Sequence, residues 1–211
     1  MTNNEINFIL DIGNVICEWN PHKHIATIFT DKKEREFAYE AIIQHSNWLD
    51  LNRGKLNLKD AIRNTIERCN LDPYKIEQAY LRTPHSLFLI EPMVEAVTKL
   101  SSHDVPLYVL SNIPKYCWEY LSKTYDIWSH FRGVTLSYQE GVIKPEAEIF
   151  NLICSRYQLE PTNCVFFDDL EENIEAAQKF GMKGEHISNS KIGYQALYRI
   201  AAGNGLYFET I

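Results

Sequence analysis

Residues 6–11 form a mostly apolar, β-rich run that stops on an acid, Phe8-Ile9-Leu10-Asp11. That is the pattern of a strand buried on both faces. The next run of that quality is 106–110, and the chain between them reads as mostly helical. Asp31-Lys32-Lys33-Glu34 has the form of a capping box and opens a helix toward residue 43. Leu58, Ala61, Ile62, Thr65, Ile66 and Cys69 recur at helical spacing and mark one amphipathic helix. Asp72-Pro73 starts another, with the acid as N-cap and proline in the first helical position, and it runs to Arg82.

From Glu91 onward the pattern becomes an alternation. A helix over 92–101 carries Met93, Val94, Val97 and Leu100 on one face. A strand (106–110) and a helix (114–124) follow, then a short strand (133–137) and a helix (146–157). A strand (163–167), a helix (171–180), a short strand (184–187) and a last helix (191–202) complete the order. Strands alternating with helices imply right-handed crossovers and a parallel sheet. The pattern therefore predicts an α/β fold. Its Rossmann-like parallel-sheet core, flanked by helices, takes in 1–16 and 91–211, and an all-helical cap over 17–90 is inserted after the first strand. The segment Gly203–Ile211 after the last helix has no role assigned to it.

Composition narrows the possibilities. The 211 residues carry a formal net charge of -7, which argues against a nucleic-acid or anionic-membrane surface. An anionic ligand then needs a local positive site. Cys17, Cys69, Cys117, Cys154 and Cys164 are odd in number, widely spaced and without a CxxC pair. They read as reduced core thiols rather than a zinc site or a disulfide frame. The N-terminal Met1-Thr2-Asn3-Asn4-Glu5 lacks a basic region, and no apolar run is long enough to span a membrane. The expectation is a cytoplasmic protein with no obligate protein partner.

Four polar signals fall where predicted strands or loops end. Asp11-Ile12-Gly13 ends the first strand, Ser111-Asn112 follows the second, Lys144 precedes Pro145, and Asp168-Asp169 follows Val165-Phe166-Phe167. In an open parallel sheet the carboxyl ends of strands line one crevice. A carboxylate, a hydroxyl, a lysine and an acid pair meeting there suit phosphoryl transfer through an aspartyl-phosphate, with Mg²⁺ on the acids. Each signal also has an ordinary reading. Asp11 and Gly13 favour turns. Ser111 and Asn112 are preferred N-caps for a helix after Pro114. Lys144 sits on a loop because the residue before proline avoids the helical region, and most such lysines are solvated. Pro145 then takes the first helical position, with Glu146 and Glu148 in the first turn. Asp169-Leu170-Glu171-Glu172 fits a capping box.

Taken together, these signals resemble the haloacid dehalogenase-like hydrolase superfamily over nearly the whole chain. The carrying segments are Asp11-Ile-Gly-Asn-Val15, Leu110-Ser-Asn112, Gly141-Val-Ile-Lys-Pro-Glu-Ala-Glu-Ile-Phe150 and Phe166-Phe-Asp-Asp-Leu-Glu-Glu-Asn173. The branch most similar is the sugar-phosphate phosphatases related to the N-terminal domain of soluble epoxide hydrolase, whose helical cap Trp48-Leu-Asp-Leu-Asn-Arg-Gly54 also resembles. The resemblance implies Asp11 as nucleophile, Ser111 and the Asn112 amide as phosphate ligands, and Lys144 holding nucleophile and phosphate together. It implies Mg²⁺ bound by Asp11, the Gly13 carbonyl and Asp169 with help from Asp168. The implied substrate is a small phosphorylated metabolite, with a sugar phosphate as the leading choice.

One departure stands out. Phosphatases of this superfamily mostly carry a second aspartate two residues after the nucleophile, as general acid and base; here that position is Gly13. The dehalogenase branch also lacks it but needs no metal, so Asp168-Asp169 argues against dehalogenation. A sugar 1-phosphate, whose anomeric oxygen leaves more easily than a primary alkoxide, needs less help. Glu18, His22 and His45 are alternative proton donors, and a weak or inactive binding protein is the other reading. Trp19, His45 and Trp48 either line the pocket or pack inside; the core is the expectation for both tryptophans.

Overall fold

The computed structural model describes residues 6–205; Met1–Glu5 and residues 206–211 lie outside the described residues. The chain opens with β1 (Asn7–Leu10) and β2 (Cys17–Glu18). Helices α1 (Pro21–Ala26), α2 (Lys32–Ile42), α3 (Ser46–Asn52), α4 (Leu58–Arg68) and α5 (Pro73–Leu81) follow. It returns through β3 (Phe88–Leu89) and α6 (Glu91–Ser102) to β4 (Leu107–Ser111) and α7 (Lys115–Thr124). The rest is β5 (Gly133–Leu136), α8 (Ser137–Glu140), α9 (Ala147–Tyr157), β6 (Cys164–Asp168), α10 (Glu171–Phe180), β7 (Lys183–His186) and α11 (Tyr194–Gly203).

The main sheet is wholly parallel in the order β5-β4-β1-β6-β7. Alternate side chains feed opposite faces, as the two-residue period requires. Phe8, Leu10, Leu107, Val109, Val165 and Phe167 pack with Met93, Val97 and Leu100 of α6 and Leu197 of α11. Ile9, Tyr108, Leu110 and Phe166 pack on the other side with Phe150 and Ile153 of α9 and Ile174 of α10. Both faces are covered, which is why these strands read as continuous apolar runs. Each large side chain sealed here contributes about 1.5–3 kcal/mol.

The inserted helices bury a core of their own around Ile25, Phe29, Ile42, Ala61, Ile76 and Tyr80. Their starts follow the caps: Asp31 accepts from Lys33 N and Glu34 N, and Asp72 accepts from Tyr74 N. The insertion leaves and rejoins the sheet through a small antiparallel ribbon, Cys17 opposite Leu89 and Glu18 opposite Phe88. Two residues per strand carry no periodic signal, so the sequence pattern misses it. The helix after Lys144 begins at Ala147 rather than Pro145, because Glu146 still has extended backbone (φ -62°, ψ 129°). All five cysteines are free and buried. Among the described residues, no helix is long and apolar enough to cross a membrane.

Candidate active site at the carboxyl ends of the strands

The chain builds the sheet outward from β1, first through β4 to β5, then back across to β6 and β7. The reversal lies between β1 and β6, and the crevice at such a switch point is where open α/β sheets bind ligands. Asp11 follows β1, and its N–H donates to Phe167 O on β6 at 2.9 Å. That contact carries the β1–β6 register one residue further and sets Asp11 beside Asp168.

Lys144 enters from the loop between α8 and α9. Its Nζ lies 2.8 Å from Asp11 Oδ1 and 2.6 Å from Asp168 Oδ2, and it donates to Leu110 O at 3.2 Å. The ammonium thus meets groups on β4 and β6 and just past the end of β1, three neighbouring strands of the sheet. The side chain is 1% exposed, so the reading of Lys144 as a solvated surface lysine does not hold. Asn112 fixes the lysine's backbone from both sides: Nδ2 donates to Lys144 O at 3.0 Å and Oδ1 accepts from Lys144 N at 2.9 Å. The Asn112 side chain is therefore engaged in holding Lys144, which leaves its main chain as its route to a ligand. Ser111 ends β4 and is nearly sealed.

The acid pair divides in two. Asp168 is fully buried, with Oδ2 on Lys144 and Oδ1 accepting from Leu170 N at 2.8 Å and Asn173 Nδ2 at 3.0 Å. Asp169 is half-buried, and its Oδ2 accepts from Asn14 Nδ2 at 2.8 Å. The simple capping readings also fail. The N-cap of α10 is Leu170, without a side-chain cap, and that of α7 is Pro114. Neither Asp169 nor Ser111-Asn112 is consumed in starting a helix.

Asp11, Asp168 and Asp169 each offer a carboxylate oxygen, and these oxygens lie within 4.8 Å of one another. Burial pushes the Asp11 carboxyl up to about 7, with the charges of Asp168 and Asp169 adding to the rise and Lys144 opposing it. Burial also raises Asp169, against the hydrogen bond from Asn14. Burial alone would lower Lys144, but the charges of Asp11 and Asp168 outweigh it and hold the ammonium above its ordinary range. The cluster is short of positive charge. An all-oxygen donor set of this kind fits a hard divalent cation such as Mg²⁺.

The cap closes down on this cluster. Trp19 N donates to Asn14 Oδ1 at 2.9 Å, and the Trp19 ring stacks on Trp48 of α3 at 6.1 Å and 7°. Both rings are half-buried between cap and core rather than sealed in the core as expected. At the far end of α3, Arg53 grips Glu146 with both guanidinium nitrogens, two residues past Lys144. Gly54, at φ +67°, packs so closely that a Cβ there would meet Tyr138 O at 2.2 Å. Ser137 Oγ donates to Asn52 O at 2.6 Å and accepts from Ile113 N at 3.0 Å. The sequence reading misses Asn14, Asn173 and Ser137, although Asn14 and Asn173 lie inside the segments that carried the resemblance.

The candidate proton donors are engaged elsewhere. His22 stacks on Tyr39 at 3.8 Å, and His45 Nδ1 caps α3 by accepting from Asn47 N at 3.1 Å. Glu18 is exposed and lines a surface cleft of about 610 Å³ with Lys23, Arg82 and His85.

Arg53→Ala tests the cap contact. The pair is partly solvated, so its loss is expected to cost stability no more than about 1 kcal/mol. The loop bearing Lys144 loses a strut, so turnover should fall more than stability does; thermal unfolding and steady-state kinetics separate the two. Glu146 is held below the ordinary carboxylate value of 4.5, chiefly by the Arg53 hydrogen bond. The pair's contribution is therefore present above that value and is lost as pH falls through the depressed one.

Comparison with known proteins agrees with this geometry. A family model for haloacid dehalogenase-like hydrolases matches residues 7–181. The chain is 27% identical over 182 residues to the sesquiterpene phosphatase astK of Aspergillus oryzae, covering 86% of this chain and 89% of that protein. It is 22% identical over 169 residues to the bifunctional epoxide hydrolase 2 of Mus musculus, covering 75% of this chain but only 29% of the mouse protein. Among solved structures, an HAD family enzyme of Bacteroides thetaiotaomicron, in complex with magnesium and inorganic phosphate, superposes with a TM-score of 0.66. The identity is 22%, over 86% of this chain and 93% of that one, a likeness in fold. A sheet whose acids and lysine converge at its switch point, and a family match across most of its length, make this chain a member of the haloacid dehalogenase-like hydrolase family.

Proposed function

We propose that this hydrolase is a Mg²⁺-dependent phosphatase acting on a small phosphorylated metabolite, with a sugar 1-phosphate as the favoured class. The observation that carries the reading is Lys144 joined to Asp11 and Asp168, with Asp169 completing the acid cluster. The phosphatase named among the relatives, and the magnesium and phosphate held by the Bacteroides enzyme, support it.

In this mechanism Asp11 attacks phosphorus in line, the ester P–O bond breaks, and its electron pair leaves on the sugar oxygen. Water then attacks the aspartyl-phosphate, releasing phosphate and restoring the carboxylate. Ser111 and the Asn112 main-chain amide bind phosphate oxygens, and Lys144 neutralises the approach of carboxylate to phosphate. Asp11, the Gly13 carbonyl and Asp169 would hold Mg²⁺, which supplies charge neutralisation and a template for the phosphate. Asp168, whose oxygens already accept from Lys144, Leu170 N and Asn173, assists by anchoring the lysine. Positioning and electrostatics supply most of the catalysis, as in phosphoryl transfer generally.

Gly13 bears on the substrate. A Cβ there would meet only Asp11 Oδ2 at 3.8 Å and Trp19 Cβ at 4.0 Å, both ordinary van der Waals contacts. No side chain at position 13 protonates the leaving oxygen, which favours leaving groups that depart without help. Phosphate release from matched sugar 1-phosphates and primary sugar phosphates, with Mg²⁺ and with EDTA, tests this. Turnover should require the metal and favour the anomeric esters. Gly13→Asp should raise the rate on primary esters by at least ~10²-fold, the value of a positioned general acid, and change the anomeric esters little. Binding of phosphate with Mg²⁺ but no turnover on any ester would instead support the second reading that Gly13 favours, a binding or regulatory protein.

A further inference from the structure

We propose that Asn14 is a positioning residue that sets Asp169 for the cation and ties that carboxylate to the base of the cap. The inference rests on the metal reading above. The carboxamide has two ends and both are used. Nδ2 donates to Asp169 Oδ2 at 2.8 Å, across 155 residues of chain, and Oδ1 accepts from Trp19 N at 2.9 Å. The backbone is set for this: Asn14 lies in the left-handed region at φ 52°, and its N–H donates to Cys17 O at 2.7 Å. Outside glycine, asparagine is among the few residues that adopt that conformation readily.

Two consequences follow. With Oδ2 held by Asn14, the Asp169 carboxylate is fixed in its orientation toward the cluster. Aspartate, which cannot donate in its ionised form, cannot replace Asn14 here. Trp19 stacks on Trp48 of α3, so the same amide links the Asp169 carboxylate to the third helix of the cap. Side chains that orient a metal ligand without touching the metal commonly matter ~10–100-fold in affinity.

The test uses the full chain and Mg²⁺ alone, by isothermal titration calorimetry on wild type, Asn14→Gly and Asn14→Ser, with circular dichroism to verify folding. Glycine keeps the left-handed backbone and removes only the carboxamide, so a loss there reports the hydrogen bonds rather than the turn. The expected result is a Kd for Mg²⁺ at least ~10-fold weaker in Asn14→Gly, and a comparable loss in Asn14→Ser, which adds no charge to the cluster. In kinetics, excess Mg²⁺ should restore much of kcat to Asn14→Gly, a rescue that a purely structural lesion does not show. Wild-type affinity in a folded Asn14→Gly would overturn the inference while leaving the metal reading intact. No Mg²⁺ binding by wild type would overturn both. If Asn14→Gly does not fold, the comparison passes to Asn14→Ser, whose hydroxyl is too short to bridge Asp169 and Trp19; unchanged affinity there would overturn the inference equally.

Discussion

Lys144→Met is expected to be the most damaging single substitution in the chain, lowering stability and ending turnover together. The ammonium is buried and stands between Asp11 and Asp168, with Asp169 close behind. Methionine fills similar volume but leaves these carboxylates facing one another without a counter-charge. Breaking a buried ion pair from one side costs about 3–5 kcal/mol. In a chain of this size that lowers the melting midpoint by roughly 10 °C. The deficit should be largest at neutral pH in EDTA, and smaller both with Mg²⁺ and on acidification, where the carboxyls become neutral. Thermal unfolding across pH, with and without the metal, checks each part; an unchanged midpoint would mean that the acids do not depend on the lysine.

Asp11→Asn is expected to separate activity from stability. If Asp11 is the nucleophile, the amide cannot form the aspartyl-phosphate, and turnover should drop at least ~10³-fold. The same change should make the metal-free protein more stable. Burial raises the Asp11 carboxyl from 3.8 to about 7, so its ionised form opposes folding. The stability of the native state associated with this group is fully present below 3.8 and is lost as pH rises through 7. The neutral amide escapes that loss, so the advantage of the variant opens between those values and is complete above 7. Paired melts in EDTA at pH 5 and pH 8 measure it. A variant less stable than wild type at pH 8 would contradict the electrostatic account of the site. Such a trade is expected where a reactive group is held against its own preference.

The sequence made the framework legible where physics acts locally. Apolar runs ending at Leu10, Leu110 and Phe167 became neighbouring strands because a parallel sheet buried on both faces leaves an unmistakable signature. Asp31 and Asp72 announced their helices because a cap is a contact between near neighbours. The four polar signals could be ranked only jointly. Asp11, Lys144, Asp168 and Asp169 do meet, yet nothing in the Lys144-Pro145 dipeptide alone distinguishes a buried lysine from a solvated one. What stayed hidden was long-range or very short. The ribbon pairing Cys17 with Leu89 has too few residues for a period. The double hold of Asn112 on the Lys144 backbone reaches across α7, β5 and α8, and no local rule foresees it. Trp19 and Trp48 read as core residues from their type, whereas their placement depends on how the cap meets the sheet.

That tryptophan pair has a practical consequence. One ring hangs from a loop tied through Asn14 to Asp169, and the other rides on α3, so their parallel stack depends on how α3 sits against the base of the insertion. Comparing indole emission and near-ultraviolet dichroism of wild type and Trp48→Phe separates this pair from Trp118 and Trp128, and so reads that contact without any attached dye.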